Sequence, residues 1–140
     1  MAGRAAFGTL FKMGATPTTV AHVTEIGGIG VSTEILDVTA MDSGGAYREI
    51  LPSFLTGKDI KLKVNWVPDA ATHKNASGGV WYAMEQKALT AFQIVFPTAT
   101  TATYSFSGYI TGIEGGGSFD KKLEADITIT PSGAGTWAYA

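Results

Sequence analysis

Side chains able to do covalent or metal chemistry are few in this chain and far apart. The chain has two histidines and no cysteine. Thiolate catalysis, disulfide staples and Cys-ligated zinc are therefore excluded. His22 and His73 belong to no HExxH pattern and have no histidine at i, i+4, so no metal set forms around them. His22 falls in a β-branched run and reads as a strand histidine, whereas His73 lies in a polar loop and reads as solvated. Glu34 with Asp37, or Asp37 with Asp42, supplies neighbouring carboxylates, but no third group orients either pair as acid and base. Gly27-Gly28-Ile29-Gly30 is glycine-rich like a phosphate loop. A dinucleotide fingerprint opens a helix, however, and here a β-branched run follows, so a turn is the expected role. Asn75-Ala76-Ser77 matches a glycosylation acceptor, which has meaning only in a secreted chain. Lys61 with Lys63, and Lys121 with Lys122, read as solvated basic spots. The expectation is a non-enzyme with no catalytic site, no metal and no cofactor.

The elements that would position these residues are mostly strands. The chain has 140 residues, enough for one domain with a hydrophobic core; 45% are hydrophobic, 16% charged, and 18 are glycine. A net charge of −2 argues against a general nucleic-acid binder. No stretch approaches the roughly 18 consecutive apolar residues of a membrane helix. The opening residues lack an apolar run of signal-peptide length, which leads to an expectation of synthesis in a cytoplasm.

Residues 1–18 read as an N-terminal arm whose one apolar knot includes Leu10 and Phe11. Thr19–Thr24 and Thr33–Thr39 read as strands. Residues 40–57 read as a long loop rich in apolar side chains, a composition suited to facing protein rather than water. In Lys58–Val67, Ile60, Leu62, Val64 and Trp66 alternate with Asp59, Lys61, Lys63 and Asn65, the period of a half-buried strand. A helix is predicted over about 78–89, with Trp81, Met84 and Ala88 on one face. Strands follow at Ala91–Phe96, at Thr103–Ile113 with Tyr104, Phe106 and Ile110 inward, and at Phe119–Thr130. In the last, Leu123, Ala125, Ile127 and Ile129 point inward; Asp120, Lys122, Glu124 and Asp126 point outward. Six or seven strands with one helix predict a mainly β fold: an antiparallel sandwich or partly closed barrel with one flanking α-helix, a long loop and an N-terminal arm. The domain proper is expected to cover 19–140.

Several of these segments, in order, resemble one family. Ile29 to Thr39, with Met41-Asp42-Ser43 and Tyr47-Arg48-Glu49-Ile50-Leu51-Pro52, is similar to the tail tube proteins of long-tailed, non-contractile phages. There a "VT…D" segment leads into "RE…P" and then a "dG-x-I-x-L-x-V-x-W" strand, here Gly57 to Trp66. Phe92 to Pro97, Tyr104 to Gly112 and Leu123 to Gly133 resemble the family's central and closing strands. The resemblance spans about residues 20–137. It implies a self-assembling structural subunit, arranged as hexameric rings stacked into a hollow virion tail tube, with relatives in contractile tails and type VI secretion. The implied partners are further copies of the chain and tape measure, tail terminator and baseplate proteins. Double-stranded DNA is met only in transit, and no membrane is involved.

Physical considerations fit that implication. A ring subunit needs one surface to close the ring and another to stack it. On this reading Tyr47, Arg48, Glu49, Ile50, Leu51 and Phe54 of the loop, with Leu10 and Phe11 of the arm, make the contacts between subunits. A conduit for DNA must not hold it, because cations repeated around a ring bind the polyanion strongly. The face of Asp120, Lys122, Glu124 and Asp126 is therefore the expected lumen lining, in preference to the face of Asp59, Lys61 and Lys63. The competing reading is a small ligand- or glycan-binding sandwich with Trp66, Trp81 and Tyr109 lining a cleft.

Overall fold

The computed structural model describes residues 8–41, 44–98 and 100–139. Its strands are β1 Leu10–Met13, β2 Thr18–Thr19, β3 Val23–Gly27, β4 Val31–Asp37, β5 Ile50–Gly57, β6 Ile60–Asn65, β7 Thr90–Val95, β8 Thr103–Gly116, β9 Glu124–Pro131 and β10 Thr136–Ala138. The helix α1, Val80–Gln86, lies between β6 and β7. The main sheet runs β2-β1-β7-β8-β9-β6-β3, with β10 also paired to β8, while β4 and β5 form a separate two-stranded sheet. Pairing is antiparallel throughout, and the sheets do not close into a barrel. No helix among the described residues is long and apolar enough to cross a membrane.

One face of the main sheet makes the core. Ile60, Leu62 and Val64 of β6 stand directly opposite Ile129, Ile127 and Ala125 of β9, and all six are buried. Period-two alternation produces this arrangement, since successive side chains leave opposite faces of the pleat. On β8, Tyr104, Phe106 and Ile110 turn inward and Tyr109 outward, as their spacing predicts. Phe92 bridges Phe11 and Phe106, with ring centroids 5.6 and 5.3 Å away.

The region expected as an arm contains β1, which pairs with β7 along Leu10↔Val95 to Met13↔Phe92. Phe11 is 1% exposed. Its burial stabilises the chain by about 1.5–3 kcal/mol, so Phe11 is a core residue and not a contact between subunits. The helix is shorter than its pattern predicts. Lys87 takes the left-handed conformation at φ 52° and stops it, and Gly79 opens it without a side-chain cap. Of the predicted face Met84 packs against the core, joined by Val80 and Ala83 in place of Trp81 and Ala88.

The histidines change places relative to expectation. His22 sits at φ 61° between β2 and β3 and is exposed, whereas His73 is 1% exposed. The Val67 N–H donates to His73 Nδ1 at 3.2 Å, and His73 Nε2 lies 2.7 Å from the Ala21 carbonyl oxygen. With Nδ1 accepting, Nε2 carries the proton and donates it to Ala21. Thr72 adds a second tie, its Oγ1 accepting from the Ala21 N–H at 3.0 Å. The polar segment after β6 is thereby fastened to the turn before β3. His73→Ala would leave two part-buried backbone groups, the Val67 N–H and the Ala21 carbonyl, without this partner, at about 1–3 kcal/mol each. Its melting temperature should fall by about 10 °C. His22→Gly, which suits the positive φ, should melt no lower than wild type. Equal melting of His73→Ala and wild type would refute the clamp.

Candidate subunit interface

β3 and β6 pair within the main sheet, and the same two chain segments continue beyond it as β4 and β5. The continuation leaves the sheet at a bend. Gly28 has φ +82°, and a Cβ there would run into the Asp59 carbonyl oxygen, so only glycine fits. The Lys58 N–H donates to the Gly30 carbonyl oxygen at 2.9 Å and carries the ladder across the bend. The expectation of a loop over 40–57 is therefore corrected, because Ile50–Gly57 is a strand paired with β4.

Facing pairs share a side of a sheet, and successive pairs alternate. Leu36↔Leu51 occupies one side of the ribbon, and Ile35↔Pro52 with Asp37↔Ile50 the other. Every residue of β4 is exposed. Phe54 is 78% exposed, Leu55 74% and Tyr47 78%. Apolar side chains thus stand on both sides of a ribbon that nothing within the described chain covers. A two-stranded ribbon is marginal alone in water. This one is held by its base in the main sheet.

Its tip is polar and knotted. Thr39 N–H and Arg48 Nη1 each donate to the Asp37 carboxylate at 2.9 Å, and the Glu49 N–H donates to Thr39 Oγ1 at 2.7 Å. The hydrogen bonds from Thr39, side chain first and then backbone, hold the Asp37 carboxyl below its ordinary value of 3.8; the bond from Arg48 adds to them. Arg48 thus has a partner on its own hairpin, with both side chains at least half exposed. Asp42 lies outside the described residues, and Glu34 takes no part in this knot. Among the described residues no group of His, Asp and Glu could hold a metal ion.

The expected lumen residues do not share one strand face. Asp120 and Lys122 lie in the turn before β9, where Lys122 Nζ sits 3.6 Å from Glu124 Oε1. Glu124 and Asp126 are on β9, on the side opposite the core. β6 is the immediate neighbour of β9, so Lys61 and Lys63 share that side. Across the sheet, Glu25, Lys63, Asp126 and Glu114 stand opposite one another in a single row. The two faces treated as alternatives in the sequence are one face, on which, across β3, β6, β9 and β8, Glu25, Glu114, Glu124 and Asp126 outnumber Lys61 and Lys63. Only tertiary pairing shows this. Trp66 and Trp81 stack at 6.4 Å, but neither they nor Tyr109 line the apolar groove that Leu10, Ile26, Ile29, Phe96 and Trp137 form.

Two outcomes follow from the hairpin. Phe54→Ala and Leu51→Ser should leave the monomer's stability within about 0.5 kcal/mol of wild type, since both side chains already face water. Gly28→Ala should lower it measurably in the same thermal melts. The tip should also be acid-sensitive. A carboxyl with a depressed folded value contributes stability present above its unfolded value and lost as pH falls through the folded one. The Thr39 amide resonance should therefore stay constant from neutral pH down to about the ordinary carboxylate range and shift only at lower pH. A midpoint above 3.8 would contradict the Asp37 contacts.

Comparison with known proteins places this architecture. Against curated protein sequences, no match is found. Among solved structures, the chain is similar to one in the virion of a native gene transfer agent particle, with TM-score 0.80, 20% identity, and coverage of 97% of this chain and 99% of that one. A chain of the tail of an empty gene transfer agent particle, solved with C6 symmetry, gives TM-score 0.76 at 20% identity and the same coverage. A chain of the anti-feeding prophage tube-terminating cap gives 0.72 at 12% identity, covering 100% of this chain and 93% of that one. These likenesses establish the fold. The family model described as lambda phage tail tube protein matches residues 8–138, and the chain belongs to that family.

Proposed function

We propose that this chain is a structural subunit that stacks as six-fold rings into the hollow tail tube of a virion. The observation that carries this reading is the β4–β5 ribbon, apolar on both sides and uncovered in its own chain. A surface of that kind on a tail tube protein calls for neighbouring copies on both sides. The C6 symmetry of the gene transfer agent tail supports rings of six. The tube-terminating cap among the similar structures supports a terminator as partner, and baseplate and tape measure proteins complete the proposed set.

In this assembly Tyr47, Ile50, Leu51 and Phe54, with Leu10 of β1, supply contact area between subunits. Affinity comes from apolar burial at roughly 25 cal/mol per Å². Arg48 and Glu49 shape the tip that presents those side chains. The outward face shared by β6 and β9 lines the lumen. Its surplus of carboxylates, repeated around a ring, keeps DNA from adhering in transit.

Purified chain, concentrated and viewed in negative stain, should show hollow tubes whose end views have six-fold symmetry. Phe54→Ala with Leu51→Ala should stay folded yet stop at monomers or single rings in sedimentation. A wild-type chain that remains strictly monomeric at every concentration would overturn the proposal.

A further inference from the structure

The main sheet fails to close between β1 and β3, and the unclosed seam is a groove of about 990 Å³. Leu10, Ile26, Ile29, Phe96 and Trp137 supply most of its apolar lining, and Glu25 is the one charged residue among the described residues that line it. Phe96 and Trp137 stack at 5.8 Å, giving the groove a flat aromatic wall. It lies beside the start of β8, next to the β7–β8 turn.

The other end of β8 carries a complementary shape. The turn from β8 to β9 presents Phe119, 99% exposed, flanked by Asp120, Lys121 and Lys122. Lys122 is committed to Glu124, while no described carboxylate lies in salt-bridge range of Lys121. β8 spans 14 residues, so groove and turn are separated by nearly the whole length of a strand of about 45 Å.

We propose that the Phe119 turn of one copy seats in the β1–β3 groove of a copy in the adjacent ring, with Lys121 approaching Glu25. This inference rests on the tube reading and names one contact within it. A head-to-tail polymer requires different, complementary surfaces at the two ends of each subunit. An aromatic knob entering an apolar pocket is the kind of contact on which interface affinity concentrates. The hairpin does not provide this pairing of ends, because it leaves the sheet at Gly28, beside the groove itself.

The absence of cysteine makes the test direct. Single-cysteine variants Thr9→Cys at the groove and Asp120→Cys in the turn are mixed, assembled and oxidised. Disulfide-linked dimers should form in the mixture and in neither variant alone. Phe119→Ala, with its side chain removed only from solvent, should melt like wild type. It should need at least about tenfold higher concentration to grow tubes. Tubes of the mixture that do not cross-link, or Phe119→Ala tubes that grow at wild-type concentration, would overturn the knob and groove while leaving the tube reading intact. A cross-link from Thr9→Cys to Ser53→Cys in place of Asp120→Cys would assign the groove to a neighbour's hairpin and overturn it as well. Wild-type chain that builds no tubes would overturn both.

Discussion

A β-ribbon with apolar side chains on both sides cannot be satisfied by one sheet, and the organisation of this protein follows from that constraint. Packing β4 and β5 against their own domain would bury one side and leave the other in water. The chain instead projects them from the β3–β6 pair through a bend that only Gly28 permits. In the proposed tube, neighbouring copies would cover the exposed apolar area. Its size sets what assembly must bury, and the rest of the fold has to hold the ribbon's base still while that happens.

The base is held by long-range pairing. β6 lies between β3 and β9, and β9 pairs in turn with the 14-residue β8, so the base of the ribbon continues into the longest ladder of the sheet. The turn ahead of β3 is fixed separately. His73 and Thr72 reach back to Ala21, and the Asn65 N–H donates to the His22 carbonyl oxygen at 2.9 Å. A buried neutral imidazole suits this task because one ring nitrogen accepts and the other donates, which satisfies two backbone groups at once. Rigidity at the base lowers the entropy lost when the ribbon docks.

The parts of this design legible in the sequence are those where one side of a strand is wet. Ile60, Leu62 and Val64 against Lys61 and Lys63 announce β6, and Tyr104, Phe106 and Ile110 announce β8. β5 gives no such signal. Ile50-Leu51-Pro52-Ser53-Phe54-Leu55 has apolar residues on both sides, a proline and a bulge, so alternation is absent and turn chemistry dominates. β1 is hidden for another reason: four residues are too few to show a period, and only pairing with β7 reveals that Phe11 is core. His73 is invisible as a clamp because its partners, Ala21 and Val67, are backbone groups. The alternation of β9 does not extend back through Asp120 and Lys122, because those residues lie in a turn whose polar side chains imitate a strand's outward face. Phe119 stands in the same turn, fully exposed.

Exposed apolar strands invite aggregation, and this ribbon carries features that oppose it. Pro52 removes a backbone donor from β5, and a register shift between Thr33 and Ile35 bends the ladder beside it. A flat copy of the same strand cannot pair along the full length of such an edge. At the tip, Asp37, Thr39, Arg48 and Glu49 are bonded to one another and present charge and bound polar groups where an unspecific hydrophobic contact would begin. Apolar area then favours association only with a surface that follows the bend and leaves the tip solvated. In the proposed tube, head-to-tail neighbours of the same shape would meet that condition at every subunit, and a ribbon hazardous in isolation would become a joint.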